Sequence, residues 1–357
     1  MPQRDLKEAD NMMGMRGLAT GIGSLPYADN ADEALDLILK YVPQIPFWPQ
    51  LPKRDIREGM VAQFSEKIPC LRISRDGLFF EAKDRDKELE AFYERVIGSD
   101  LDYFQISPDF ALGLHKFYQR LENIGLDRIE FIKCQITGPF TFAASIKDEK
   151  GIALLHDEVF MQAVTKGLLM KALWQLKHFA KFGKKMIVFI DEPYLGCFGS
   201  AYTPINREDV VRALTELAEG IKAESAALTG VHCCGNTDWS IFTDTKPIDI
   251  INFDAYSFLD KFTLYADNLD GFLKKGGVIC WGIVPTQEFS GKEKPDSLAG
   301  RIRDSIDILA KKGVDRDLLS SNLLITPACG LGALDTQKAE KIFSLLSETS
   351  RILKKTK

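Results

Sequence analysis

Three side chains in this sequence combine soft metal-ligand chemistry with suggestive spacing. His232 and Cys234 stand two residues apart, and Cys329 follows much later in a Pro327-Ala328-Cys329-Gly330 turn. Residues i and i+2 of an extended segment face the same side, so His232 and Cys234 would present an imidazole and a thiolate together while Cys233 faces away. One nitrogen and two sulfurs suit Zn²⁺ at bond lengths of ~2.0–2.3 Å. A catalytic zinc takes three protein ligands and keeps a fourth, exchangeable position, and Asp254 is placed to fill that position at rest. The competing reading makes His232 a satisfied strand-end histidine and the cysteines small buried hydrophobes. What favours the metal is the address: all four residues fall at the ends of apolar strand patterns.

The elements that must carry these residues alternate along the chain. Short apolar segments at Leu18–Ile22, Ile45–Trp48, Phe131–Ile136, Met186–Ile190, Gly230–Cys234, Asp249–Asp254, Gly277–Trp281 and Leu323–Thr326 predict strands. Helical periodicity predicts Ala31–Tyr41, Asp157–Phe182, Arg207–Leu228, Leu264–Lys275, Ser297–Lys312 and Gln337–Lys354 between them. Near-continuous apolar strands separated by helices indicate an α/β protein whose parallel sheet is buried on both faces. Eight such units close a (β/α)₈ TIM barrel, in which chemistry sits at the carboxyl ends of the strands. The first strand is not followed by the Gly-x-Gly-x-x-Gly fingerprint of a dinucleotide fold. Residues of about 54–127 exceed one crossover and are expected to form an insertion after the second strand. It would carry a hairpin, Leu71–Ser74 and Leu78–Ala82 around Asp76-Gly77, and two helices near Lys87–Ile97 and Phe110–Ile124. The whole chain, 1–357, is thus expected to be a single barrel domain.

Composition narrows the function classes. The chain has 46 basic and 51 acidic residues for a net charge of −5, so it lacks the basic surplus that nucleic-acid binding requires. No apolar run approaches the ~18 residues of a membrane span, and the amino terminus has alternating charges instead of a secretory h-region. Seven scattered cysteines in a chain of 357 residues do not form a disulfide framework. Together these features predict a soluble, cytoplasmic protein.

The strand ends also resemble a known family. Ile22-Gly23-Ser24-Leu25-Pro26, Thr137-Gly138-Pro139, Ile190-Asp191-Glu192-Pro193, His232-Cys233-Cys234 and Pro327-Ala328-Cys329-Gly330-Leu331 resemble, in order, motifs of the carboxy-terminal catalytic barrel of cobalamin-independent methionine synthase. That barrel shares a superfamily with uroporphyrinogen decarboxylases and corrinoid:coenzyme M methyltransferases. The resemblance implies zinc held by His232, Cys234 and Cys329, with Asp254 where the family has Glu, and methyl transfer to a thiol. It implies a homocysteine site at Ser24 and Asp191, with Asp191 on the substrate ammonium, and it places Arg54 where the family has a Glu. Arg54 favours an anionic end group, while Asp55 or Glu58 would restore the acid if the loop shifts. The family Trp that stacks on folate has no counterpart in Thr137-Gly138-Pro139-Phe140-Thr141-Phe142-Ala143-Ala144-Ser145. Losing an aromatic platform lowers pterin affinity, so the expected donor is a methylcorrinoid presented by a carrier protein. The alternatives are a sulfonate thiol or other small thiol as acceptor, or a metal-free decarboxylase of the uroporphyrinogen type. Glu192 is expected to brace a neighbouring strand. Phe47 and Trp48 are expected in the core, and His115, His156 and His178 are given no role.

Overall fold

The computed structural model describes residues 15–28, 30–75, 77–200 and 205–355. A curled, seven-stranded parallel sheet carries the fold. Its strands are β1 (Leu18–Ala19), β4 (Phe131–Thr137), β5 (Lys185–Asp191), β6 (Leu228–Cys233), β7 (Ile250–Phe253), β8 (Val278–Val284) and β9 (Leu323–Pro327), in spatial order β1-β9-β8-β7-β6-β5-β4. A separate hairpin pairs β2 (Leu71–Ser74) with β3 (Gly77–Phe80) in antiparallel register. Asp76, half of the expected hairpin turn signal, lies outside the described residues. Every residue of β4, β6, β7, β8 and β9 is buried, as a parallel sheet covered by helices requires.

The expected second strand is not a regular strand. Residues 44–50 run between β1 and β4 and touch each side through single parallel bridges, Ser24 with Gln50 and Phe47 with Lys133. Pro46 and Pro49 explain this. A proline has no N–H to give a ladder, so two of them in one short segment leave isolated bridges in place of continuous pairing. The first strand is likewise shorter than expected, because β1 stops at Ala19.

Helices fill the crossovers close to where periodicity placed them: Ala31–Tyr41, Glu158–Phe179, Arg207–Glu224, Ala266–Lys274, Pro295–Lys311 and Thr336–Lys355. Local chemistry starts several of them. Asn30, Asp157 and Asn206 each accept backbone N–H bonds in the first turn, and Pro295 occupies the first position of its helix. The helix expected to reach Leu228 ends at Glu224, since Leu228 opens β6. Between residues 51 and 130 lie two short 3₁₀ turns, the hairpin and the helices Arg85–Ile97 and Leu112–Glu122. Their aromatic residues Phe64, Phe80, Phe92 and Phe117 join the same apolar cluster that lies between sheet and helices. A second cluster fills the concave side of the sheet, with Leu18, Phe131, Ile187, Phe189, Leu228, Ile250, Val278 and Leu324. Gly230 is required there, because a Cβ would stand 2.5 Å from the Phe189 ring. Among the described residues, no helix is long and apolar enough to cross a membrane.

Candidate metal centre

The upper end of the sheet changes chemistry. Above the apolar cluster the strands contribute Lys133, Gln135, Asp191, His232, Asn252 and Thr326, all buried. Lys133 marks the boundary. Its Nζ donates to the Ile22 carbonyl (2.7 Å) and Gln135 Oε1 (3.3 Å) and sits 4.6 Å above the Phe189 ring. Burial lowers this amine from its ordinary range to about 8.

At the carboxyl ends of β6 and β9, His232, Cys234 and Cys329 converge. One ligand atom from each lies within 4.8 Å of the other two. Ligands sharing one zinc at ~2.0–2.3 Å stand roughly 3.5 Å apart, so small side-chain rotations suffice. The donor set fits the ion chemically as well as geometrically. Cys234 donates toward Cys329, and that contact together with His232 draws the Cys329 thiol well below its ordinary value. The same contact, with burial, moves the Cys234 thiol the opposite way. Burial works against a charged His232, but the Cys329 sulfur and the Asp191 carboxylate more than offset it and raise the imidazole above its usual value. A thiol held low lies nearer the thiolate form that binds metal.

The other expected site residues distribute unevenly around this centre. Asp191 ends β5 in register with His232. Burial pushes its carboxyl up to about 6, and Oδ1 has no hydrogen-bond partner. A buried acceptor without a partner is costly, so this oxygen stands open to a donor. Ser24 lies against the Cys329 turn: its carbonyl accepts from Leu331 N–H (2.9 Å) and its Oγ from Gly332 N–H (3.3 Å). Gly330 permits that approach, since a Cβ would come within 2.2 Å of Ser24 Oγ. Asp254 lines the same cleft as Cys234 and Cys329, beside Tyr256 and Glu288, and accepts from Ser257 N–H (2.9 Å). It stands next to the three-ligand cluster and is not one of its members.

Arg54 is engaged elsewhere. Its Nε donates to Glu58, and Nη2 reaches the Asp109 carbonyl at 3.0 Å. Glu58 is fully buried and also accepts from Leu51 N–H (3.0 Å) and Leu112 N–H (3.2 Å), so the pair ties this loop to the start of the helix Leu112–Glu122.

Glu192 braces a helix terminus, not a strand. Its carboxylate accepts from Phe140 N–H (2.9 Å), Thr141 N–H (2.8 Å) and Thr141 Oγ1 (2.6 Å) at the start of the short helix Pro139–Ala144. Four orphan N–H groups open every helix, and a carboxylate satisfies them well. The Phe140 and Phe142 rings of that helix are buried in the core. His178 stacks between Tyr118 and Trp174, with ring centroids 4.1 and 4.8 Å away, and serves packing.

Motif reasoning missed Asn252. Its Oδ1 meets His232 Nδ1, and its Nδ2 donates to the Cys280 carbonyl and Thr326 Oγ1, both at 2.9 Å. The available signal was a lone amide in the fully buried run Ile250-Ile251-Asn252-Phe253.

Comparison with known proteins agrees with the motif resemblance. The chain is 27% identical over 224 residues to a methionine synthase of Methanocaldococcus jannaschii, an alignment covering 62% of this chain and 65% of that protein. It shares its fold with a B12-independent methionine synthase from Shewanella sp. W3-18-1, solved in complex with selenomethionine. The TM-score is 0.60 at 16% identity, over 95% of this chain and 98% of that one. No family model matches the chain.

Proposed function

We propose that this chain, similar to methionine synthases in sequence and fold, is a zinc-dependent S-methyltransferase acting on a small thiol, with homocysteine as the leading acceptor and methionine as product. The observation that carries this reading is the convergence of one imidazole and two sulfurs at the mouth of the sheet, beside a buried carboxylate with an unpartnered oxygen. His232, Cys234 and Cys329 would hold the ion, with Asp254 at the fourth position until the acceptor enters. Bound zinc supplies one thing here: it keeps the acceptor thiol deprotonated at neutral pH.

The chain's own residues do the rest. Asp191 binds the substrate ammonium through its free oxygen, and backbone N–H groups near Ser24 receive the carboxylate. Arg54, held by Glu58, keeps its loop in place. The acceptor sulfur attacks the methyl carbon in line; the S–C bond forms as the donor bond breaks, and its electron pair leaves with the donor. A methylcorrinoid presented by a carrier protein fits this better than a folate, because the short helix after β4 buries its Phe140 and Phe142 rings and offers no open platform. In the same reading residues 44–50 take the eighth stave of a (β/α)₈ barrel, residues 54–127 are an insertion in it, and 1–357 form one domain.

Metal analysis and turnover test this directly. Anaerobically purified protein should carry about one zinc per chain, and Cys234→Ser and Cys329→Ser should lose it. The parent should methylate homocysteine faster than sulfonate thiols when given methylcobalamin with its carrier. A folded, metal-free protein that decarboxylates a porphyrinogen would establish the decarboxylase reading in its place.

A further inference from the structure

We infer that Asn252 is a positioning residue that sets the tautomer of His232 and thereby makes the ring a ligand. The inference rests on the metal-centre reading for its purpose, but on hydrogen-bond geometry for its substance.

Asn252 is fully buried in β7, in direct register with His232 of β6. An amide side chain has two ends, one that only accepts and one that only donates. Here the donating end is committed: Nδ2 gives its two hydrogens to the Cys280 carbonyl and Thr326 Oγ1, each at 2.9 Å. A carbonyl oxygen cannot donate, so flipping the amide would set Asn252 Oδ1 against the Cys280 oxygen, two buried acceptors facing each other, and only the Thr326 hydroxyl could turn to donate. The orientation is therefore fixed from below, and Oδ1 must face His232 Nδ1. An acceptor at that position demands a proton on Nδ1. A neutral imidazole carries only one, so Nε2 keeps its lone pair on the side of the ring turned to the cysteines. Without Asn252 nothing would hold the single proton of the neutral ring at Nδ1, and a proton on Nε2 would block coordination from that side.

The chain of control runs from the backbone of β8 and the hydroxyl of β9, through one amide, to one imidazole nitrogen. All of it lies within buried strands, so it is formed with the sheet and needs no ligand to assemble. Partners of this kind typically govern metal affinity by 10–100-fold.

Two readouts test the inference. The first is ¹⁵N-histidine NMR of the metal-free protein at a pH where the ring is neutral. It should show His232 protonated at Nδ1 in the parent and shifted toward Nε2 in Asn252→Leu. The second is zinc affinity by chelator competition, which should fall roughly 10–100-fold in Asn252→Leu and less in Asn252→Asp, which keeps the acceptor. Thermal unfolding of both variants checks that they remain folded. An Nε2-protonated ring in the parent, or unchanged zinc affinity in folded Asn252→Leu, overturns the inference. Should the parent bind no zinc, the metal-centre reading fails, while the NMR readout still decides what Asn252 does.

Discussion

The two halves of the sheet's concave face solve opposite problems with the same strands. The lower half, from Leu18, Phe131, Ile187 and Phe189 round to Val278 and Leu324, is filled by apolar side chains in mutual contact. The upper half holds Lys133, Gln135, Asp191, His232 and Asn252, all equally buried, yet with polar atoms at every position. Burial stabilises the lower half in proportion to its apolar area. In the upper half burial is a cost, offset where partners exist and left standing where they do not. Asp191 and its neighbour Glu192 show the contrast one residue apart. Glu192 receives three donors and closes a helix terminus, whereas Asp191 keeps an oxygen empty. The lower half is therefore where stability resides, and the upper half is where burial works against it.

Substitutions that separate the halves test this division, and the largest stability effect is expected below. Phe189→Ala should destabilise by about 3–5 kcal/mol in urea unfolding, through lost transfer energy and the cavity left under Lys133. Zinc content per folded chain should be retained. An unchanged urea midpoint would show that the lower layer is not the stabilising one.

Asp191→Asn should act in the reverse sense. Removing the buried charge should raise stability at pH 8 by on the order of 1–3 kcal/mol. Its folded pKa of about 6 lies above the unfolded value, so the parent gives up stability as pH rises through 6. The advantage of the variant should therefore be greatest above pH 7 and fade as pH falls below 6. At the same time KM for an amino-acid thiol should rise roughly 10–100-fold, as loss of a hydrogen bond to a charged group predicts. A variant that is both less stable and unchanged in KM would contradict the role given to the unpartnered oxygen.

The smallest effect is expected from Ile250→Val in β7, two residues below Asn252. One methylene removed from the apolar layer should cost about 0.5–1.5 kcal/mol and leave zinc affinity unaltered. A loss of affinity there would mean that the two halves are mechanically coupled through β7.

Much of this molecule could be read from the order of residues. Seven strands and the helices between them follow from runs such as Met186-Ile187-Val188-Phe189-Ile190 alternating with amphipathic segments, because a doubly covered strand has to be apolar throughout. The His-x-Cys pair announced itself because residues i and i+2 at a strand end share a direction, a property of the backbone alone. The fate of residues 44–50 depended on Pro46 and Pro49, which were visible in the sequence but whose effect on pairing depends on neighbours on both sides.

What tertiary structure alone decided is partnership. Arg54 and Glu58 are four apart, but only the fold shows that Glu58 is buried with Leu51 and Leu112 donating to it, and so that Arg54 is engaged. Asp191 and Glu192 are adjacent acids with nothing in their type to separate them; their roles differ because alternation sends one to the mouth of the sheet and the other to the helix at Pro139. Asn252 belongs to no motif, and its importance arises from three strands meeting around one amide. Residue type and spacing determine which chemistry a side chain can offer. Whether that offer is taken up inside the protein or left open for a ligand depends on atoms distant in sequence, and only the folded packing brings those atoms together.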